Sequence, residues 1–131
     1  MNAEPQETKH KDLTDKIIKA FYRVYGKLGY GFLEKVYENA MLIELKKEGI
    51  PASPQFPIEV LYERESVGEY FADILVNNQV VVEVKAAKTL SAENEAQLLN
   101  YLKATDLEVG LLLNFGPKPE IKRKTFANFR K

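Results

Sequence analysis

From Leu13 onward apolar residues recur at steps of three and four, through Ile17, Ala20, Phe21, Val24 and Leu28, which is the period of a helix with one buried face. The run predicts a first helix ending near Gly29. Gly29 and Gly31 around Tyr30 make a tight connection. Leu33, Val36, Ala40, Leu42 and Ile43 then mark the apolar side of a second helix, closed by Gly49 and Pro51. A link this short makes the two helices packed neighbours.

Beyond Pro51 the period changes to two. Ile58, Val60 and Tyr62 alternate with Glu59, Leu61 and Glu63 as a first strand, the chain turns over Glu63 to Ser66, and Val67 to Val76 forms a second strand. Asn77-Asn78 suits a two-residue hairpin turn because asparagine tolerates positive φ, so Gln79 to Ala86 returns as a third strand of an antiparallel meander. Ser91 caps a third helix with Glu93 and Glu95 in its first turn and Leu98, Leu99 and Leu102 as its buried stripe, ending near Thr105. Val109 to Phe115 is a nearly all-apolar fourth strand, set parallel to the third by a right-handed crossover. Gly116-Pro117 ends the sheet, leaving residues 119–131 as a short basic strand or helix. The order α-α-β-β-β-α-β predicts an α/β (α+β) fold, a central mixed sheet of about four strands flanked by helices.

A chain of 131 residues with 45% apolar content has room for one domain, here 11–131, behind a polar leader over 1–10 that is expected to be disordered, with His10 exposed in it. The absence of cysteine excludes a disulfide framework and a thiolate metal site and favours a reducing cytoplasm. No apolar run has the length of a membrane span, and the N-terminus lacks the apolar centre of a signal peptide. A soluble, unexported protein is expected. Nineteen basic and nineteen acidic side chains cancel, which removes the long-range field that draws basic proteins onto nucleic acid. Lys118, Lys122, Arg123, Lys124, Arg130 and Lys131, against Glu120 alone, predict a basic C-terminal patch or a solvated tail.

Candidate chemistry lies on the second and third strands. Asp73 sits within Phe71-Ala72-Asp73-Ile74-Leu75-Val76, and Glu83-Val84-Lys85 follows three valines. Alternation puts Val81, Glu83 and Lys85 on one face. If Leu75 faces Val81, Asp73 faces Glu83, whereas a slip of one residue separates them. Two carboxylates side by side in buried strands repel one another, and burial raises the cost of keeping both ionised. A hard divalent cation resolves the conflict: Mg2+, or Mn2+ in its place, would be held by the two carboxylates, the Val84 carbonyl and substrate phosphate oxygens. Lys85 would then position the attacking water or stabilise developing charge. The alternative is an ion cluster that neutralises itself, with Lys85 extended to the rim.

The run Gly31-Phe32-Leu33-Glu34-Lys35-Val36-Tyr37 reads G-x-x-E-x-x-Y. With Asp73, Glu83-Val84-Lys85, the segment Ala96 to Leu102 and the segment Gly110 to Gly116, the chain resembles the GxxExxY proteins of the PD-(D/E)xK nuclease superfamily from about Leu13 to Arg123. The resemblance implies a restriction-endonuclease-like core. It implies Glu34 as a helix-borne acid approaching the metal, Asp73 and Glu83 as principal ligands, and Lys85 as the catalytic lysine. Gln97 and Tyr101, one helical turn apart, would face the active site, and Tyr37 would be a packed aromatic that fixes its helix. Ala72 stands where the motif has its proline. The implied activity is metal-dependent hydrolysis of DNA or RNA phosphodiesters. The competing readings are a nucleic-acid-binding or regulatory module on the same fold without turnover, and a self-associating structural module. Cleavage of both strands of a duplex would require a homodimer with two sites.

Overall fold

In the computed structural model, which describes residues 8–131, the spacing from Leu13 becomes α1 (Lys11–Leu28), with Ile17, Ala20, Phe21 and Val24 buried. Residues 1–7 of the expected leader lie outside the described residues. Lys9 is engaged: its carbonyl accepts from Arg123 at 2.7 Å and its ammonium pairs with Glu108 at 3.1 Å. His10, expected to be exposed, is half-buried at the start of α1 with φ 56.

The second helix, α2 (Glu34–Lys47), forms where expected, but of the face read as apolar Leu33, Val36 and Ile43 are exposed and only Ala40 and Leu42 pack at the margin of the core. Leu33 is 81% exposed and Ile43 58%, while Tyr37, Glu38, Met41, Glu44 and Leu45 are buried. Two inward-facing glutamates disguise the buried side in the sequence. Glu44 is offset by Arg23 and Lys47, each at 3.5 Å, and by Lys27 at 3.9 Å. Partners 21 and 17 residues away along the chain are invisible to a periodicity argument.

Strands β1 (Ala52–Tyr62), β2 (Glu65–Val76), β3 (Val80–Lys85), β4 (Val109–Phe115) and β5 (Pro119–Thr125) form one sheet in that spatial order. The meander is antiparallel, and β3 and β4 are parallel, joined by α3 (Ala92–Lys103). Asn77 and Asn78 take φ 50 and 55, and Gln79 is a third loop residue before Val80 pairs with Val76. Ser91 caps α3 as expected, accepting from Asn94 N while Asn94 Oδ1 accepts from Ser91 N, each at 3.1 Å. Helices α1 and α2 cover one face of the sheet and α3 the other. No helix among the described residues is long and apolar enough to cross a membrane.

The sheet departs from expectation at both edges. Gly116-Pro117 turns the chain instead of ending the sheet, and β5 returns antiparallel to β4 as a fifth strand. At the other edge β1 begins at Ala52 rather than Ile58. Pro54 and Pro57 conceal that extension, and an edge strand tolerates them because one side of its backbone has no ladder to complete. Much of the basic C-terminus is stitched to the fold: Lys124 pairs with Glu95 at 2.7 Å, and the Lys131 ammonium donates to the Thr105 and Leu107 carbonyls at 2.8 and 2.6 Å.

Asn114, fully buried on β4, pins the chain just after β3. Its Oδ1 accepts from Ala87 N at 2.9 Å, and its Nδ2 donates to Ala87 O at 3.0 Å and to Glu120 at 2.9 Å. Asn114→Leu strands both backbone groups of Ala87 and is expected to lower stability to urea by about 1–3 kcal/mol. An unchanged urea midpoint would show that this segment finds other partners.

Candidate active site

Pairing between β2 and β3 runs Val76↔Val80, Leu75↔Val81, Ile74↔Val82 and stops there. This is the register that sets Asp73 beside Glu83. Past Ile74, carboxylates replace the backbone ladder: Asp73 Oδ2 accepts from Val84 N at 2.7 Å, and Glu83 Oε1 accepts from Asp73 N at 2.9 Å. Each acid is thus held by the backbone of the neighbouring strand.

The same point marks a roll in the β1–β2 ribbon. Ile74 and Val76 serve the core under α1 and α2, whereas Ala72, which strict alternation would place with them, serves the core under α3. On β1, Pro54 pairs with Ile74 and Phe56 with Ala72. Between them Gln55 has φ 54, a conformation uncommon for a non-glycine residue. The twist aims the Gln55 side chain at α2, where its Nε2 donates to Glu38 Oε1 at 3.3 Å.

Glu38 is buried at the site and also pairs with Lys35 at 3.6 Å. It was not among the sequence candidates. The one signal for it was its position four residues after Glu34, on the same helical face. Glu34 itself is exposed in the first turn of α2, its carboxylate in no hydrogen bond or ion pair with the described residues, yet its charge helps raise the pKa of Asp73. Tyr37 is fully buried. Its hydroxyl donates to Gly29 O at 2.9 Å and accepts from Phe32 N at 3.2 Å, and its ring stacks on Phe115 at 4.2 Å. Gly31, at φ 111, supplies a backbone conformation closed to other residues. The tyrosine and glycine of G-x-x-E-x-x-Y therefore fix where α2 begins, and so where Glu34 sits.

Lys85, at the end of β3, is half-buried, and its ammonium joins no hydrogen bond or ion pair with the described residues. The acids are consequently not neutralised by it in direct contact. Tyr101 is buried on α3 with its ring 5.9 Å from that of Tyr70. Gln97, one turn earlier and half-buried, lines with Tyr101 a groove between α3 and the β1–β2 ribbon.

Burial pushes the Glu83 carboxyl up to about 8; the Asp73 charge adds to this, the Asp73 N–H and Lys85 oppose it, and Glu38 raises it further. Asp73 is likewise raised, burial outweighing the Val84 N–H and Lys85. Glu38 is raised by burial and then by Asp73. The Tyr101 phenol is pushed up to about 12 by burial, then by Glu83 and Asp73. The shared cause is negative charge held out of water with too little positive charge beside it.

Among the described residues no group of three or more histidine, cysteine, aspartate or glutamate side chains gathers as a metal cluster. Magnesium does not require one, since it takes one or two carboxylates and keeps several waters. Asp73 Oδ1 and Glu83 Oε2 accept no hydrogen bond from the described residues. A pair of hard oxygen donors with excess negative charge fits a hard divalent cation.

A family model described as the PD-(D/E)XK nuclease superfamily matches residues 11–124. Among solved structures, the crystal structure of SSO0001 aligns with a TM-score of 0.57 at 17% identity, covering 92% of this chain and 59% of that one. That is a likeness of fold, and this chain spans about three fifths of the other's length. No curated protein matches significantly.

Proposed function

Because the chain belongs to the PD-(D/E)XK nuclease superfamily, we propose that it is a magnesium-dependent phosphodiesterase of the GxxExxY branch, cleaving DNA or RNA and accepting manganese. The reciprocal bonding of Asp73 and Glu83 across β2 and β3 is the observation that carries this reading, because it fixes a half-buried and a buried carboxylate side by side with no ion pair to offset them.

Asp73 and Glu83 would hold the ion. The Val84 carbonyl joins them, since the N–H and C=O of a strand residue point to the same edge and Val84 N already points at Asp73. A bound magnesium polarises the phosphoryl oxygens and acidifies its water. The Val84 and Asp73 N–H groups hold the two carboxylates in orientation throughout. Lys85, uncommitted to an ion pair, offers its ammonium to the attacking water and to the charge gathering on phosphorus-bound oxygens. Glu34, whose charge acts on Asp73, borders the site from α2, and Tyr101, whose phenol is acted on by Glu83 and Asp73, borders it from α3, with Gln97 one turn earlier on the groove wall.

Purified protein is assayed on single- and double-stranded DNA and RNA with and without magnesium, alongside Lys85→Ala. The expected result is metal-dependent cleavage that falls about 10²–10³-fold in the variant, with substrate binding retained. Metal-dependent cleavage at full rate in Lys85→Ala would overturn the assignment. The zero net charge favours a second reading, a binding module without turnover. Salt-sensitive binding without cleavage in the same assay would select it.

A further inference from the structure

β2 spans 12 residues, of which three pair with β3, so the β1–β2 ribbon continues past the sheet as a two-stranded arm. Between this arm and α3 runs a groove of about 760 Å³, within the range of ligand sites. Val60, Leu61, Val67 and Tyr70 line it from the arm, Gln97 and Tyr101 from the helix. Tyr70 is 49% exposed, an aromatic face left open to the groove.

The charges here oppose a phosphate. Glu59 and Glu93 are the acids of the lining and Lys103 its one cation, and the Lys103 ammonium is already set 5.5 Å from the Phe126 ring. The remaining groups suit the neutral part of a nucleotide: the Tyr70 face to stack on, and the Gln97 and Asn100 amides to pair with the edges of a ring. Tyr101 belongs both to the groove wall and to the surroundings of Glu83 and Asp73, so a chain with its phosphate at the carboxylates can lay an adjacent base in the groove.

We propose that the groove between the β1–β2 ribbon and α3 binds unstacked nucleobases, making single-stranded or locally unpaired nucleic acid the substrate class. Bases inside a duplex are stacked and paired and would have to be extruded at a cost of a few kcal/mol to enter. The inference rests on the nuclease reading for its choice of ligand, and a binding measurement separates the two.

Fluorescence anisotropy of labelled oligonucleotides, in EDTA and again in calcium, compares a single strand, its duplex and an abasic strand of equal length. Wild-type protein is expected to prefer the intact single strand. Tyr70→Ala weakens that binding about tenfold, Tyr70→Phe retains it, and neither changes binding of the abasic strand. Equal affinity for duplex and single strand, or single-strand binding indifferent to Tyr70→Ala, overturns the base site even if cleavage persists. Tyr70-dependent binding of single strands by a protein that cleaves none keeps the base site and removes the nuclease reading.

Discussion

Asp73→Ala is expected to abolish magnesium-dependent cleavage, with a loss of about 10³-fold or more, because the metal's contribution of several kcal/mol to the transition state goes with its ligand. The substitution also frees Val84 N from its carboxylate partner. Asp73→Asn separates the two effects: its amide oxygen can still accept from Val84 N, while the charge is gone. Both variants are expected to lose activity alike, and Asp73→Asn to keep the wild-type fold by circular dichroism. Initial rates across a magnesium titration provide the check. Near-wild-type cleavage by Asp73→Asn would mean that no cation is held there.

Glu83→Gln is expected to stabilise the protein in metal-free buffer near pH 8 and to eliminate cleavage when magnesium is present. The folded state holds the Glu83 proton up to about pH 8, against 4.5 for the free side chain. Through this group folding is therefore favoured most below about pH 4.5, and stability falls as pH rises toward 8, by up to about 1.4 kcal/mol per pH unit. Asp73 and Glu38, also raised, act in the same direction. Glutamine imitates the protonated acid, so the variant should match wild type near pH 5 and exceed it near pH 8 in urea denaturation with EDTA. Magnesium should raise the melting temperature of wild type, more so at the higher pH, and leave the variant nearly unmoved. A metal-free wild type that gains stability between pH 5 and 8 would contradict the electrostatics assigned to this site.

The sequence alone determined the order of helices and strands as far as β4 and the parallel step from β3 to β4, and it offered the register that sets Asp73 beside Glu83 as one of two, a slip of one residue being the other. Those depend on signals a few residues long: the period of apolar positions, the Ser91 cap, and two asparagines whose positive φ turns the chain, while the third loop residue, Gln79, decides that Val76 meets Val80. Tertiary structure alone decided which side of α2 is buried, because the inward face carries Glu38 and Glu44, and a glutamate goes inside only where other elements bring partners to it. Gln55 reaches Glu38 from 17 residues away, and does so because β1 rolls at a left-handed residue that no local propensity favours. The early start of β1 behind two prolines, the return of β5, and the Tyr70–Tyr101 groove have the same origin. Periodicity and turn chemistry are local and can be read along the chain; compensation of buried charge and the shape of a groove are set by segments that meet only after folding.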